Sequence, residues 1–437
     1  MNSEQLLHFV WQYKLFYTNN LRTTSGDEVD IINVGILNTD AGPDFFNAQV
    51  RIGNITWAGN IEIHNSSDDW YAHHHDSDAA YNNVILHVVG KSSGRAIKDS
   101  NGRVVPEMVL KYPEQIDNRY AHWSNASGYV RCSGYLPNMQ KITRDGFLDR
   151  LLFERMEILN ERVETLLTEF NGDWAQTLFC LLARSMGFVV NAEAMLSMAR
   201  RTPVNIMLKH AEPIQREALL LGQAGMLSTQ AAQEEQNEHL RLLQREYEFL
   251  RIKFNLTPVD VSIWKQLRLR PSNMPAIRIS QLAAIIGAIG SNFESSLLSM
   301  DAKTITNTLN ISASEYFDNH FIIGKTSGSK TTKHLGKQAR QLIIINTVVP
   351  YLFAYHHRYG NTDELYNTIN MLKSIPTESN SRLDIFANYG LKAENEGEAQ
   401  ALLHLYKDYC QSHRCLQCRF GLEFLAHDIN TSTANNL

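Results

Sequence analysis

The chain has 437 residues, 43% hydrophobic and 20% charged, with a net charge of −5 at neutral pH. That length calls for more than one core, since single cores stop growing near ~250–300 residues, and the composition is that of a folded globular protein. The net charge offers no global attraction for nucleic acid, so such a surface has to be a local basic patch, and no apolar run is long enough to span a membrane.

Leu6, Leu7, Val10, Trp11 and Leu15 recur at helical spacing and predict an amphipathic helix over 2–17, with Ser3 as its cap and Glu4 in its first turn. The acidic start and the lack of a small-residue cleavage site argue against a secretory leader, and the expected location is cytoplasmic. From 28 to 112, short alternating runs such as "EVDIINVG", "AQVRIG", "ITWAGNIEIH" and "NVILHVVG" predict strands. Gly53-Asn54 and Asn101-Gly102 mark hairpin turns between them. From 141 onward the periodicity is helical, as in "DGFLDRLLFERMEILNERVETLLTEF" and "NEHLRLLQREYEFLRIKF", with no fixed repeat. The expected fold is an α+β domain over 1–125, a helix packed on a mixed sheet. A helical domain over 126–395 follows, and a C-terminal helix with a cysteine cluster over 396–437 packs on that helical body.

In a strand through "GNIEIH", Ile61 and Ile63 face the core while Glu62 and His64 share the other face. Pro43 makes the approach extended, so Asp44 begins a strand, and a hairpin of 45–52 with 55–63 returns Asp44 to Glu62. Two carboxylates beside one sheet suit a hard cation such as Mg²⁺, which polarises a phosphoryl oxygen and lowers the pKa of a bound water. His64 is placed to orient or deprotonate that water, and Glu4 offers a further carboxylate. The plainer alternative is a turn aspartate and an exposed Glu/His strand pair.

The next segment, "SDDWYAHHHDSD", carries His73, His75 and Asp78. These suit a transition metal, or the two histidines position a phosphate beside Asp44 and Glu62. The alternative is a turn begun by Ser67 or Asp69, with Trp70 and Tyr81 over the sheet edge and the histidines solvated or hydrogen-bonded. His87, on one strand face with Ile85 and Val89, reads as a core histidine.

Cys410, Cys415 and Cys418 form C-x₄-C-x₂-C. With His413 or Cys132 as a fourth ligand they suit a Zn²⁺ ion, and with a remote cysteine an iron–sulfur cluster. Reduced thiols at a helix end are the alternative, and five cysteines do not make a disulfide framework. Lys325, Lys330, Lys333, Lys337 and Arg340 stand in a stretch without an acidic residue. They point to nucleic-acid phosphates bound in a salt-dependent way, or else to a solvated face.

Pro43-Asp44 followed by Glu62-Ile63-His64 resembles the PD-(D/E)XK nucleases, in which a helix bearing a Glu packs on a sheet. The resemblance implies Asp44 and Glu62 as ligands of the metal, Glu4 as the helix carboxylate and His64 at the position of the lysine that assists the water. His64 departs from that lysine, because imidazole is largely uncharged near neutral pH. The implied activity is phosphodiester hydrolysis by Mg²⁺-activated water in a restriction-endonuclease-like domain. The alternative is a non-enzymatic module, with a degenerate site of this kind, that binds nucleic acid or protein. Over nearly its whole length the chain also resembles the uncharacterised DUF2851 family. The segments that carry this are "GPDFFNAQVRIGNITWAGNIEIHNSSDDWYAHHHDSDAAYNNVILHVV", "REALLLGQAGML", "RLRPSNMPAIRISQLA" and "YCQSHRCLQCRFG".

Overall fold

The computed structural model describes residues 4–429 apart from Ser127, Ala211, Ser329, Glu378 and Ser379. The chain divides into two units, one of residues 1–148, 379–392 and 402–437 and the other of 149–378 and 393–401. The first boundary falls at 148 where the sequence suggested 125, and residues 402–437 belong with the sheet rather than with the helical part. The reason is side-chain packing within the first unit: Trp123 stacks on Phe424 at 5.4 Å, Phe147 meets Phe420 at 4.9 Å, and Arg119 Nη1 donates to the Leu425 carbonyl at 2.9 Å.

The first unit begins with helix α1 (Glu4–Gln12), shorter than its apolar pattern. Lys14 adopts a left-handed φ of 51°, and the Leu15 N–H closes back on the Val10 carbonyl, so the helix stops while Leu15 still packs against the core. The Ser3 cap lies outside the described residues. The sheet is mixed and six-stranded: β1 (Val29–Asn33), β2 (Ile36–Leu37), β3 (Phe45–Ile52), β4 (Ile55–Ser66), β5 (Val84–Lys91) and β6 (Glu107–Val109). The order is β1-β3-β4-β5-β6, with β2 also on β3. β3 pairs antiparallel with both β1 and β4, whereas β4–β5 and β5–β6 are parallel.

The β3–β4 turn is Gly53-Asn54, with Gly53 at φ 58°, as a two-residue hairpin requires. A bulge at Asn47, φ 57°, shifts the register so that Phe45 pairs with Ile61. Parallel β4 and β5 need a crossover. It consists of the short helix α2 (Asp69–Ala72), the histidine turn and a 3₁₀ turn Ala79–Tyr81.

One sheet face carries the core. Ile61, Ile63, Leu86, Val88 and Met108 are buried against Leu6, Leu7, Val10 and Trp11 of α1, together with Ile116, Trp123, Leu422 and Leu425. Under the crossover, Trp70, Val84, Ile97 and Val105 form a second apolar cluster.

The second unit is helical. Helix Pro213–Gln223 packs against Glu238–Lys253 and Pro275–Ile289, and Gly222 lies so close under the Tyr247 ring that a Cβ has no room. Among the described residues no helix is long and apolar enough to cross a membrane.

The β4–β5 pairing depends on Gly59, where a Cβ would stand 2.6 Å from the Asn83 carbonyl oxygen, a backbone atom with no rotamer to yield. Gly59→Ala should therefore lower stability by about 1–3 kcal/mol, the usual cost of overpacking. An unchanged urea midpoint would contradict the close approach.

Candidate metal centre on the sheet

The bulge in β3 and the hairpin bring Asp44 opposite Glu62. The Asp44 N–H donates to Glu62 Oε2 at 3.2 Å, and the Ile63 N–H donates to Asp44 Oδ2 at 2.8 Å. From α1, His8 Nε2 lies 3.2 Å from the same Asp44 oxygen. Burial opposes charge on His8, but Asp44 as hydrogen-bond partner and as neighbouring charge holds its pKa above the ordinary value. Glu4, half-buried in the same helix, is raised by burial and by Asp44, so it too lies within electrostatic reach.

Glu62 and His64 do occupy the face opposite Ile61 and Ile63, but that face is not solvated. Both are buried, at 4% and 1% exposure, beneath the crossover. Trp70 packs on His87 at 5.2 Å and on His75 at 5.4 Å, and Tyr81 stacks on His75 at 3.7 Å.

The three consecutive histidines do not diverge as an extended strand would make them. His74 has φ 63°, a left-handed kink, and is itself exposed. The kink lets His73 and His75 turn toward one point. There, ligand nitrogens of His64, His73 and His75 lie within 4.8 Å of one another. His64 Nε2 is 3.1 Å from His73 Nδ1 and 3.4 Å from Glu62 Oε1, and His75 Nε2 is 3.1 Å from the same Glu62 oxygen. Neither buried nitrogen of His75 makes a hydrogen bond.

Behind this point runs a line of buried polar groups. His64 Nδ1 contacts His87 Nε2 at 2.8 Å, His87 Nδ1 contacts Glu107 Oε2 at 3.2 Å, and Ser92 Oγ donates to Glu107 Oε1 at 2.6 Å. Burial opposes charge on Glu107, but hydrogen bonds from His87, Ser92 and Ser67 hold its carboxyl below the usual range. An ionised Glu107 accepts from His87 Nδ1–H. His87 Nε2 must then accept from His64 Nδ1–H, which leaves the lone pair of His64 Nε2 facing His73 and Glu62. Such an outer partner selects the tautomer able to bind a metal.

Burial, and then His87, His75 and His73, push His64 down to about 2. Burial also lowers His75 and His87. Burial and the neighbouring Asp44 push Glu62 up to about 9. Without a cation, burial keeps His64 and His75 neutral beside a protonated Glu62 carboxyl.

The chain matches the family described as "Protein of unknown function (DUF2851)" over residues 4–381. The chain belongs to the DUF2851 family. No curated protein and no solved structure matches it. The geometry of this DUF2851 member therefore has to carry the functional argument by itself.

Several expected groups sit elsewhere. Asp78 accepts the Ala80 N–H at 2.9 Å and caps the 3₁₀ turn. In the helical unit Lys325, Lys330 and Lys337 are exposed, but Lys333 is not presented to a ligand. Only 8% exposed, it donates to the carbonyls of Asp318 and Thr331 and lies over the Phe321 ring. Arg340 donates to Asn310 Oδ1. Sequence reasoning missed His8 and Glu107 and left His87 in the core. It is a core histidine, with 0% exposure, and it is also the link between Glu107 and His64.

In metal-free protein these shifts oppose one another. His64, His75 and His87 are depressed, so as pH falls below 6.5 the unfolded chain takes up protons first and stability is lost. Glu62 is raised, so as pH rises from 4.5 toward 9 the unfolded chain releases its proton first and stability is lost again. His8, also raised, adds a loss above 6.5. Urea midpoints measured with chelator should peak near pH 6.5. Glu62→Gln should shrink the alkaline decline to the shares of His8 and Glu4, and an undiminished decline would place its source elsewhere.

Proposed function

We propose that this protein is a divalent-metal-dependent hydrolase of phosphodiesters, with Glu62, His64, His73 and His75 as ligands and Asp44 beside them. The observation that carries the reading is the convergence of three imidazoles on one point within 4.8 Å, with an oxygen of Glu62 3.1 Å from His75 Nε2. A donor set rich in imidazole suits Zn²⁺, Mn²⁺ or Fe²⁺ better than the Mg²⁺ expected from the carboxylates alone. The fit is supported by the two unbonded nitrogens of buried His75 and by the lone pair that Glu107 and His87 direct from His64. A cation there supplies Lewis acidity and a water of lowered pKa.

The chain's own groups divide the remaining work. His64 stands at the lysine position of the PD-(D/E)XK pattern and replaces that charge with a neutral nitrogen donor, so it binds rather than shuttles protons. Asp44 has a side chain 21% exposed, against 5% for Glu62, and is the carboxylate that water and substrate can reach. His8 Nε2, 3.2 Å from Asp44 Oδ2, is positioned to orient that carboxylate. The phosphodiester class, with nucleic acid as the partner, rests on the Asp44–Glu62 pair and its likeness to those nucleases.

Burial of Glu62, His64 and His75 beneath Trp70 and Tyr81 favours a second reading, a metal clasp that pins the crossover to the sheet without catalysis. Calorimetric titration with Zn²⁺ and Mn²⁺ and cleavage assays on single- and double-stranded DNA and RNA separate the two. One divalent ion per chain should bind in a way that His64→Ala/His75→Ala abolishes, and Glu107→Gln should weaken it about 10–100-fold, as outer partners of metal ligands do. Asp44→Ala should abolish hydrolysis. Equal rates in wild type and Asp44→Ala would assign the activity to something else, and metal binding without hydrolysis of any substrate would leave the clasp.

A further inference from the structure

Four of the five cysteines lie in the first unit, and none is in a disulfide. Three lie close in sequence on a stretch of unusual local backbone. The helix Glu396–His404 widens into a π-helical stretch, Leu405–Cys410, which ends on Cys410; such insertions are rare and cluster at functional sites. His413, at φ 55°, then reverses the chain, with the Arg414 N–H on the Tyr409 carbonyl at 2.9 Å. Cys415 and Cys418 bracket one 3₁₀ turn, closed by the Cys418 N–H on the Cys415 carbonyl at 3.2 Å. That turn packs so tightly on the helix Arg419–Ala426 that a Cβ on Gly421 would collide with the Cys415 carbonyl oxygen.

The fourth cysteine comes from far away in sequence. Tyr129 packs edge-on against Tyr406 at 5.8 Å and stacks with His413 at 6.4 Å, and Tyr135 meets His427 at 4.8 Å. These contacts lay the segment of Cys132 along the cysteine turn. His413 is exposed and taken up by that stacking, so Cys132 is the better fourth donor.

Two further observations point to a ligand. Arg131, next in sequence to Cys132, has a buried Nε without a hydrogen-bond partner; burial raises the Cys415 thiol, and the Arg131 charge works against that rise. A thiolate sulfur held by a metal would accept that hydrogen bond. A cavity of about 290 Å³, lined by Trp123, Arg131, His413 and Cys415 among others, gives an entry path.

We propose that Cys132, Cys410, Cys415 and Cys418 form a four-thiolate centre for a thiophilic metal, either one Zn²⁺ ion or one iron–sulfur cluster. Both take four cysteine sulfurs, and both would fasten the 129–139 segment to the C-terminal turn. In the metal-free protein burial, and then the other cysteines, hold the thiols of Cys132 and Cys410 neutral. Loading therefore releases protons from the thiols as sulfur–metal bonds form.

The test is metal analysis and absorption spectroscopy on full-length protein purified without oxygen. Zinc with no visible absorption identifies the ion, and iron with acid-labile sulfide and a broad visible band identifies the cluster. Either metal should persist in His64→Ala/His75→Ala, which empties the sheet site, and vanish in Cys415→Ser/Cys418→Ser. Should the cysteine variant not fold, titrating wild type with a mercurial should release the metal in step with the blocked thiols. Absence of both zinc and iron, or metal that follows the histidines and ignores the thiols, overturns the proposal. Metal that follows the histidines would support the sheet site while removing the thiol site, so the two readings fail separately.

Discussion

The parallel pairing of β4 with β5 sets Glu62 beside His87 in a sheet covered on both faces, and most of the unit's chemistry follows from that register. A buried polar group without a partner costs several kcal/mol, so each of these must be answered by another. Glu107 answers His87, and His87 answers His64. The line ends at His64 Nε2, whose lone pair faces the crossover. The covering segment has to supply something for it, and it supplies His73 and His75, with Trp70 and Tyr81 as the apolar roof. A slip of one residue between the two strands would turn Glu62 and His64 toward the apolar face carrying Ile61 and Ile63. The fold and the site are therefore fixed by the same pairing.

What could be read from the sequence is what depends on local period. Alternation along "GNIEIH" separates the Ile pair from Glu62 and His64, and Gly53-Asn54 folds Asp44 back to them. The long helical patterns appear as Lys141–Glu169 and Glu238–Lys253. What could not be read depends on pairings remote in the chain or on single dihedral angles. The partnership of His64 with His87 spans 23 residues and needs a parallel register that no turn residue announces. The sequence could pair His73 with His75 as alternate residues, but it could not show that His74 at φ 63° turns both toward His64. Cys410, Cys415 and Cys418 stand out by spacing, and Cys132 could be named only as a remote candidate, whose segment the contacts of Tyr129 and Tyr135 lay along that turn. The spread of charge failed as a guide at Lys333, which looks like part of a basic patch and is a buried donor to two carbonyls.

The two clusters share an electrostatic logic despite their different donors. At the sheet, burial holds Glu62 protonated and the imidazoles neutral. At the cysteine turn it holds the thiols neutral. Neither arrangement helps the fold by itself, since buried polar networks can often be exchanged for apolar side chains at little cost or at a gain. Both also leave an atom unanswered, His75 Nδ1 in one and Arg131 Nε in the other. A cation changes the sign of these terms. It ionises Glu62 or the thiols at their own positions, gives the imidazole lone pairs a target and turns a sulfur into an acceptor for the guanidinium. Stability alone explains the apolar face of the sheet, with its isoleucines and Trp11. It does not explain a carboxyl and three imidazoles packed on the opposite face, and the cation proposed there would.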